Sequence, residues 1–325
     1  MADGNISILI GTHSVTKKSV EFKDLALIII DEQHRFGVKT RADIAHKRND
    51  NRLEIPHLLS MSATPIPRSL ALTIFGDLDL SIIDEMPVGR KKIITKLCRQ
   101  TDYDEVYDNI RSEINNGRQV YIICNKINDD EDGKKSIDSE LKKIRSIFPE
   151  YNISSVHGKT EKGVRDAIMS DFKNNKINIL ISTTVIEVGV NVPNATIMLI
   201  ENAEKFGLAQ LHQIRGRVGR GDYQSYCYIF SENYSDVTVT RLNNFVKSNN
   251  GFDLAEIDLK ERGPGALISY RQSGLTDIAM EGIQNIKLVE ICKRLAKSLI
   301  QEDIELNNYP LLQEKLKMLS EMHLE

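Results

Sequence analysis

Short apolar runs alternate with amphipathic stretches along most of this chain. Residues 5–12 (Asn-Ile-Ser-Ile-Leu-Ile-Gly-Thr), 25–31 and 57–63 are compact apolar segments and predict three strands. Pro65 and Pro67 stop the third, and 68–75 predicts a short helix. Residues 77–95, with Pro87 and Gly89 between apolar runs, predict a linker. Beyond it, Tyr103, Val106, Tyr107, Ile110 and Ile114 keep helical spacing, and Asn115-Asn116-Gly117 supplies a stop. Strands follow at 120–124, 153–156, 177–182, 195–200 and 225–230. Helices marked by Leu141, Ile144, Phe148 and by Val164, Ile168, Phe172 fall between them. The polar segment 128–135 predicts a loop. This alternation predicts an α/β fold with a mostly parallel sheet and helices on both faces. After about 232 the pattern turns helical, broken by a Gly/Pro-rich segment at 263–274, and no repeat of solenoid period occurs.

Bulk properties narrow the picture only a little. A chain of 325 residues has room for two domains and a tail. A net charge of −3 gives no global basic signature, so any nucleic acid binds a local surface. No apolar run approaches a membrane span of about 20 residues, and the N-terminus lacks the basic-then-apolar order of a signal peptide. Cys98, Cys124, Cys227 and Cys292 form no CxxC pair. Three lie in or beside apolar runs, as buried reduced thiols do, which fits a cytoplasmic location.

Two constellations carry chemistry. Asp31-Glu32-Gln33-His34 follows the apolar run 25–30, at the carboxyl end of a buried strand where an α/β sheet holds Mg²⁺ and nucleotide. There Asp31 can hold Mg²⁺ through its hydration shell, and Glu32 can orient and deprotonate an attacking water. A capped strand end is the plainer alternative. Ser62-Ala63-Thr64, at another strand end about thirty residues on, weighs against that alternative. The second constellation is Gln213-x-x-Gly216-Arg217-x-Gly219-Arg220, with both arginines near the start of a predicted helix. Planar guanidinium groups bind phosphate oxygens bidentately and neutralise charge in phosphoryl transfer. A helix C-terminus answered by basic residues would account for one arginine, not for the ordered set.

Read in order, these strings resemble the superfamily 2 helicases, and specifically the C-terminal part of the RecG branch-migrating DNA helicases. Gly11-Thr12-His13, Asp31 through Val38, Met61 through Arg68, Thr183 through Val190, Gln210 through Gly221, Arg262-Gly263-Pro264-Gly265 and Arg271-Gln272-Ser273-Gly274 carry the resemblance over nearly the whole chain. The transcription-repair coupling translocases share several of these blocks; Gln33, His212, Gly221 and Pro264 favour RecG.

The resemblance implies RecA-like parallel sheets in two lobes, with ATP and Mg²⁺ between them and branched duplex DNA across both. It implies a partial first lobe over 1–88, a complete second lobe over 89–231, and a translocation hairpin, loop and helices over 232–325. It further implies catalytic roles for Asp31, Glu32, Gln213, Arg217 and Arg220, and nucleotide contacts from His34, Gly189 and Asn191. Ser62, Ala63 and Thr64 would couple nucleotide state to DNA. Thr12, His13, Thr183, Arg262 and Gln272 would face the phosphate backbone.

This sequence departs from the family at several points. Asn191 replaces the usual Asp and keeps a hydrogen-bonding group without charge. Ala266, Ser269 and Tyr270 interrupt the usual run after Pro264, and Asn125-Lys126 replaces Pro-Leu. The motif G-x-x-x-x-G-K-[ST] does not occur in these 325 residues. Gly158-Lys159-Thr160 follows a strand, but position 153 is Ile where a phosphate-cradling turn needs Gly. The resemblance places the phosphate loop, the adenine-binding motif and the fork-binding wedge upstream of position 1. The expectation is therefore a C-terminal part with negligible ATP turnover alone. A non-catalytic duplex-binding remnant is the expectation from another class.

Overall fold

The structure is a computed structural model, and it describes residues 3–16, 20–32, 56–63, 79, 81–83, 85, 89–124, 133–183, 192–258 and 286–322. The chain divides into two compact units, Met1–Pro65 and Ile66–Glu325.

In the first unit β1 (Leu27–Ile30) pairs parallel with β2 (His57–Ser60), with Leu27 opposite His57 and Ile30 opposite Ser60. Ile28 and Ile30 point into the unit, while Leu27 and Ile29 stand more than half exposed. The predicted strand at 5–12 does not form. Its Ile8 and Ile10 are 79% and 91% exposed, and it joins no ladder among the described residues. Apolar content alone cannot hold an extended segment that lacks a pairing partner. A short 3₁₀ turn, His13–Thr16, follows it. The predicted helix at 68–75 lies outside the described residues.

The second unit is built on a six-stranded sheet. Its strands are β3 (Ile94–Cys98), β4 (Gln119–Ile123), β5 (Ile153–Val156), β6 (Ile179–Ser182), β7 (Ala195–Ile200) and β8 (Tyr226–Phe230). Every pairing is parallel, in the order β3-β8-β7-β4-β6-β5. From β4 the chain runs outward to β5, returns through β6, and crosses to β7 on the other side of β4. The switch point therefore lies between β4 and β7. The helices are α1 (Tyr103–Asn115), α2 (Gly133–Ile147), α3 (Lys162–Lys173), α4 (Leu208–Arg215), α5 (Asp236–Lys247), a stretch α6 at 251–258, α7 (Ile286–Glu302) and α8 (Pro310–Met322).

Alternation along the strands divides two cores. Val120, Ile122, Ile179, Ile181, Ile197 and Leu199 pack with Val106, Ile110 and Ile114 of α1 and Ile144 of α2. Their neighbours Tyr121, Ile123, Leu180, Met198 and Ile200 pack with Phe172 of α3, Leu208, Leu211 and Ile214 of α4, and Leu242 and Phe245 of α5. Both faces are covered, so the strands read as continuous apolar runs. The α1 stop is built as its sequence predicts, with Gly117 at φ +80 and its N–H donating to Ile114 O.

Two features of the second unit differ from expectation. Strand β3 begins at the end of the predicted linker and runs past it, where no strand was expected: Ile94 N–H donates to Ser225 O, and β3 runs parallel to β8 at the sheet edge. The arginine string also lies elsewhere. Helix α4 ends at Arg215, so Arg217 and Arg220 follow the helix and do not begin one. Gly216 stands at the helix boundary, and Gly219 takes φ +70, which a continuing helix excludes.

Candidate nucleotide and nucleic-acid site

In the first unit the acidic pair and the Ser-Ala pair meet at one sheet end. Met61 N–H donates to Ile30 O at 2.8 Å, which extends the parallel register one step past both strands. Asp31 and Glu32 therefore leave β1 beside Met61 and Ser62, about one strand spacing away. Glu32 N–H donates to Asp31 Oδ1 at 2.9 Å, and Glu32 itself takes φ 52. The left-handed region is costly for a side chain with a Cβ, by about 1–2 kcal/mol. Asp31, Ser62 and Ala63 are exposed at this edge. Thr12 is exposed as well; its carbonyl accepts Val15 N–H, and its hydroxyl lies 3.4 Å from that of Ser14. His13 opens the 3₁₀ turn.

In the second unit the site is a turn hung from α4. Gln213 is half-buried on the helix. Arg217 N–H donates to Ile214 O and Val218 N–H to Arg215 O, winding the chain back after the helix. Arg220, exposed, returns its Nε to Gly216 O at 3.1 Å. Two features fix the turn from outside. Arg90 Nε donates to Gly219 O at 2.8 Å, and a Cβ on Gly219 would lie 2.9 Å from Ile93 Cγ1. Gly221 is as tightly placed, its missing Cβ 2.9 Å from Pro193 O. The glycines thus serve close backbone packing.

Behind the turn stands an arginine that the motif reading passed over. Arg215 Nη1 donates to Phe245 O at 3.1 Å and approaches Thr95 Oγ1 at 3.4 Å; Nη2 donates to Ser248 O at 2.9 Å. Its Cζ lies 4.3 Å over the Phe245 ring. Nη2 is also 3.1 Å from His212 Nδ1. A guanidinium only donates, so the imidazole accepts at Nδ1 and carries its proton on Nε2. Burial first, and Arg215 second, push His212 down to about 4. Burial also lowers Arg215. One sequence signal marked Arg215: it continues the apolar stripe Leu208, Leu211, Ile214 of α4, where a charge is out of place. In return, Arg241 of α5 donates to Glu204 O and to Phe206 O at 3.0 Å, just ahead of α4.

Thr183 is buried at the carboxyl end of β6, its carbonyl accepting Ser182 Oγ–H at 2.7 Å. The Gly158-Lys159-Thr160 string forms a tight turn after β5, in which Thr160 Oγ1 accepts His157 N–H at 2.9 Å. That hydroxyl is already engaged. His34, Thr64, Gly189, Asn191, Arg262 and Gln272 lie outside the described residues, as does the segment 263–274.

Three family profiles match in chain order: "DEAD/DEAH box helicase" over 1–73, "Helicase conserved C-terminal domain" over 102–222, and "ATP-dependent DNA helicase RecG, domain 3, C-terminal" over 248–325. The "ATP-dependent DNA helicase RecG" of Synechocystis sp. is 44% identical over 97% of this chain. That of Aquifex aeolicus is 44% identical over 98%, and that of Bacillus subtilis 43% over 93%. The chain belongs to the RecG family. It spans 38%, 40% and 44% of the length of those three relatives. A solved structure described as RecG bound to a three-way DNA junction superposes with a TM-score of 0.68 at 41% identity, over 86% of this chain and 36% of the other. A DUF1998 helicase, MrfA, bound to DNA shares the fold with a TM-score of 0.51 at 19% identity, over 70% of this chain and 32% of that one. The RecA-like α/β class of the RecG-family chain is thus established by fold as well as by sequence. Among the described residues no helix is long and apolar enough to cross a membrane.

Proposed function

We propose that this chain supplies the hydrolytic carboxylates, the arginine turn and the DNA-tracking segments of a RecG-type, ATP-dependent helicase that remodels forks and junctions in DNA repair and recombination. The observation that supports this best is the arginine turn, fixed by Arg90 and Ile93 around Gly219 and leaving Arg220 exposed. In this reading 1–88 belong to the first lobe, 89–231 form the second, and 232–325 carry translocation. Glu32 would act on the triphosphate from the first lobe, and Arg220 from the second.

Each residue then has a task. Asp31 keeps one carboxylate oxygen on Glu32 N–H, which leaves the other for a water of hydrated Mg²⁺. That donor set fits an outer-sphere ion, and when bound the ion would offset charge on the phosphates. Glu32 orients the attacking water and takes its proton. Gln213, Arg217 and Arg220 answer charge on the γ-phosphate. His34, Gly189 and Asn191 hold the nucleotide. Ser62, Ala63 and Thr64 pass its state onward. Thr12, His13, Thr183, Arg262 and Gln272 face the DNA backbone. A chromosomal substrate implies a cytoplasmic location.

Binding of a labelled three-way junction, followed by anisotropy, tests the reading. Affinity is expected to fall by at least about tenfold between 50 and 200 mM salt, and further in Arg262→Ala. ATP turnover by these 325 residues alone is expected at background, since no phosphate-loop motif is present. Junction-stimulated turnover that survives both Glu32→Gln and Arg220→Ala would overturn the residue assignments; absence of junction binding would overturn the function.

A further inference from the structure

The exit of the arginine turn is pressed against the entry of β7. Gly221 lies so close to Pro193 O that a Cβ would meet it at 2.9 Å. A packed approach of this kind has to be held shut by neighbouring groups. Arg118 does so from the turn between α1 and β4. Its Nη1 donates to Asn194 Oδ1 at 2.8 Å, beside Pro193. Its Cζ lies 3.2 Å from the centre of the Tyr223 ring, two residues past Gly221. One planar guanidinium thus grips both sides of the contact, stacking by its face and donating from its edge.

Two observations separate this grip from ordinary closure of the sheet. The amino edge is fastened without Arg118. Asn194 Nδ2 donates to Gly117 O at 2.8 Å, Gln119 N–H donates to Asn194 O, and Gln119 Nε2 donates to Phe172 O and Ile177 O. What Arg118 adds is Tyr223, whose side chain is half exposed and stands outside both cores. The entry to β7 is also bent. Gln119 pairs with Ala195 but Val120 with Ile197, which leaves Thr196 as the extra residue of a bulge, its hydroxyl donating to Glu113 Oε2 at 2.7 Å. Bulges gather beside functional sites, where they re-aim a strand. The chain entering this one comes from Asn191, three residues before Asn194, and Tyr223 stands three residues after Arg220.

We propose that Arg118 is a positioning residue for the nucleotide site: by clamping Asn194 to Tyr223 it sets where Arg220 stands relative to the segment entering β7. This rests on the functional reading above, in which Arg220 faces phosphate and Asn191 the nucleotide.

Side-chain Nε–H exchange of Arg220, followed by NMR on arginine-labelled protein, tests it. Arg215 and Arg241 serve as internal references, and the melting temperature is measured alongside. Arg118→Lys keeps the charge but cannot stack and donate at once. Exchange at Arg220 is expected to quicken about fivefold or more, with both references within about twofold of wild type. Should Arg118→Lys fail to fold, Tyr223→Leu, at an exposed position, carries the same comparison, and Tyr223→Phe, which keeps the ring, should match wild type. Millimolar inorganic tripolyphosphate is expected to slow exchange at Arg220 in the wild type. Equal quickening at all three arginines would make Arg118 a general brace and overturn this inference alone. So would an Arg220 that exchanges as in the wild type. A wild type whose Arg220 does not respond to tripolyphosphate overturns the functional reading of that arginine, and this inference with it.

Discussion

Tyr103 donates its hydroxyl to Glu201 Oε2 at 2.8 Å, joining residues 98 apart in sequence at the carboxyl end of the sheet. The ring of Tyr103 is stacked on Phe230 at 4.0 Å, so the hydroxyl cannot swing away. Glu201 Oε1 has only Lys143, 3.9 Å off, among the described residues. Burial, opposed by the Tyr103 hydrogen bond and by Lys143, holds the carboxyl above its ordinary range.

Removing that donor should be costly. Tyr103→Phe leaves a buried carboxylate oxygen without its partner, a loss of about 1–3 kcal/mol that lowers the melting temperature by roughly 3–10 °C. Glu201→Gln still accepts from Tyr103 and should lose less. A raised folded value also means that this group's stabilisation is present below 4.5 and is lost as pH rises through the raised value. Glu201→Gln should remove that decline. A Tyr103→Phe melt equal to wild type would show that the bond contributes nothing.

His212 sets an opposite pH dependence. Its folded value is about 4 against an ordinary 6.5, so the unfolded chain takes up a proton first as pH falls. Stability should drop between 6.5 and about 4, by up to about 3 kcal/mol. His212→Asn can still accept from Arg215 but does not titrate. Urea unfolding across this window should be flatter in that variant, and parallel slopes would count against the assignment.

Gly219 carries two constraints that can be separated. Gly219→Ala meets the left-handed penalty of about 1–2 kcal/mol and also a contact with Ile93 Cγ1. In a double-mutant cycle, Ile93→Ala should recover the contact part and leave the backbone part. Full recovery, or none, would mean that one constraint is absent.

The thiols should differ sharply in reactivity. Cys98, Cys124 and Cys227 are buried, and burial pushes Cys98 and Cys227 up to about 12; Cys292 is exposed on α7. A chromogenic thiol reagent should modify Cys292 rapidly in the native state and the other three only on unfolding. Rapid native labelling of a second thiol would contradict the packing around the sheet.

Most of the second unit was legible in the sequence because its strands are buried on both faces. The runs at 120–123 and 197–200 have no polar interruption to misread. Strand β3 was missed for the converse reason: it is an edge strand whose Ile94 is 52% exposed, and it follows Lys91-Lys92 and a Pro/Gly segment. At 5–12 composition promised a strand, but ladder partners are a tertiary property. The arginine turn was identified by residue type and misplaced relative to its helix, because glycine spacing does not reveal which φ each glycine adopts. Arg215 was passed over since its meaning depends on α5, thirty residues downstream.

Among the described residues, strand β3 reaches the sheet only through β8, the last of the described strands in chain order. During synthesis from the N-terminus, Ile94–Cys98 must wait with its edge unsatisfied until Tyr226–Phe230 has emerged from the ribosome. Nascent chains stalled just after residue 200 should therefore be cut readily near Lys96 by trypsin, and chains stalled well past 258 should resist. Equal resistance at both lengths would mean that the edge finds shelter earlier than its register allows.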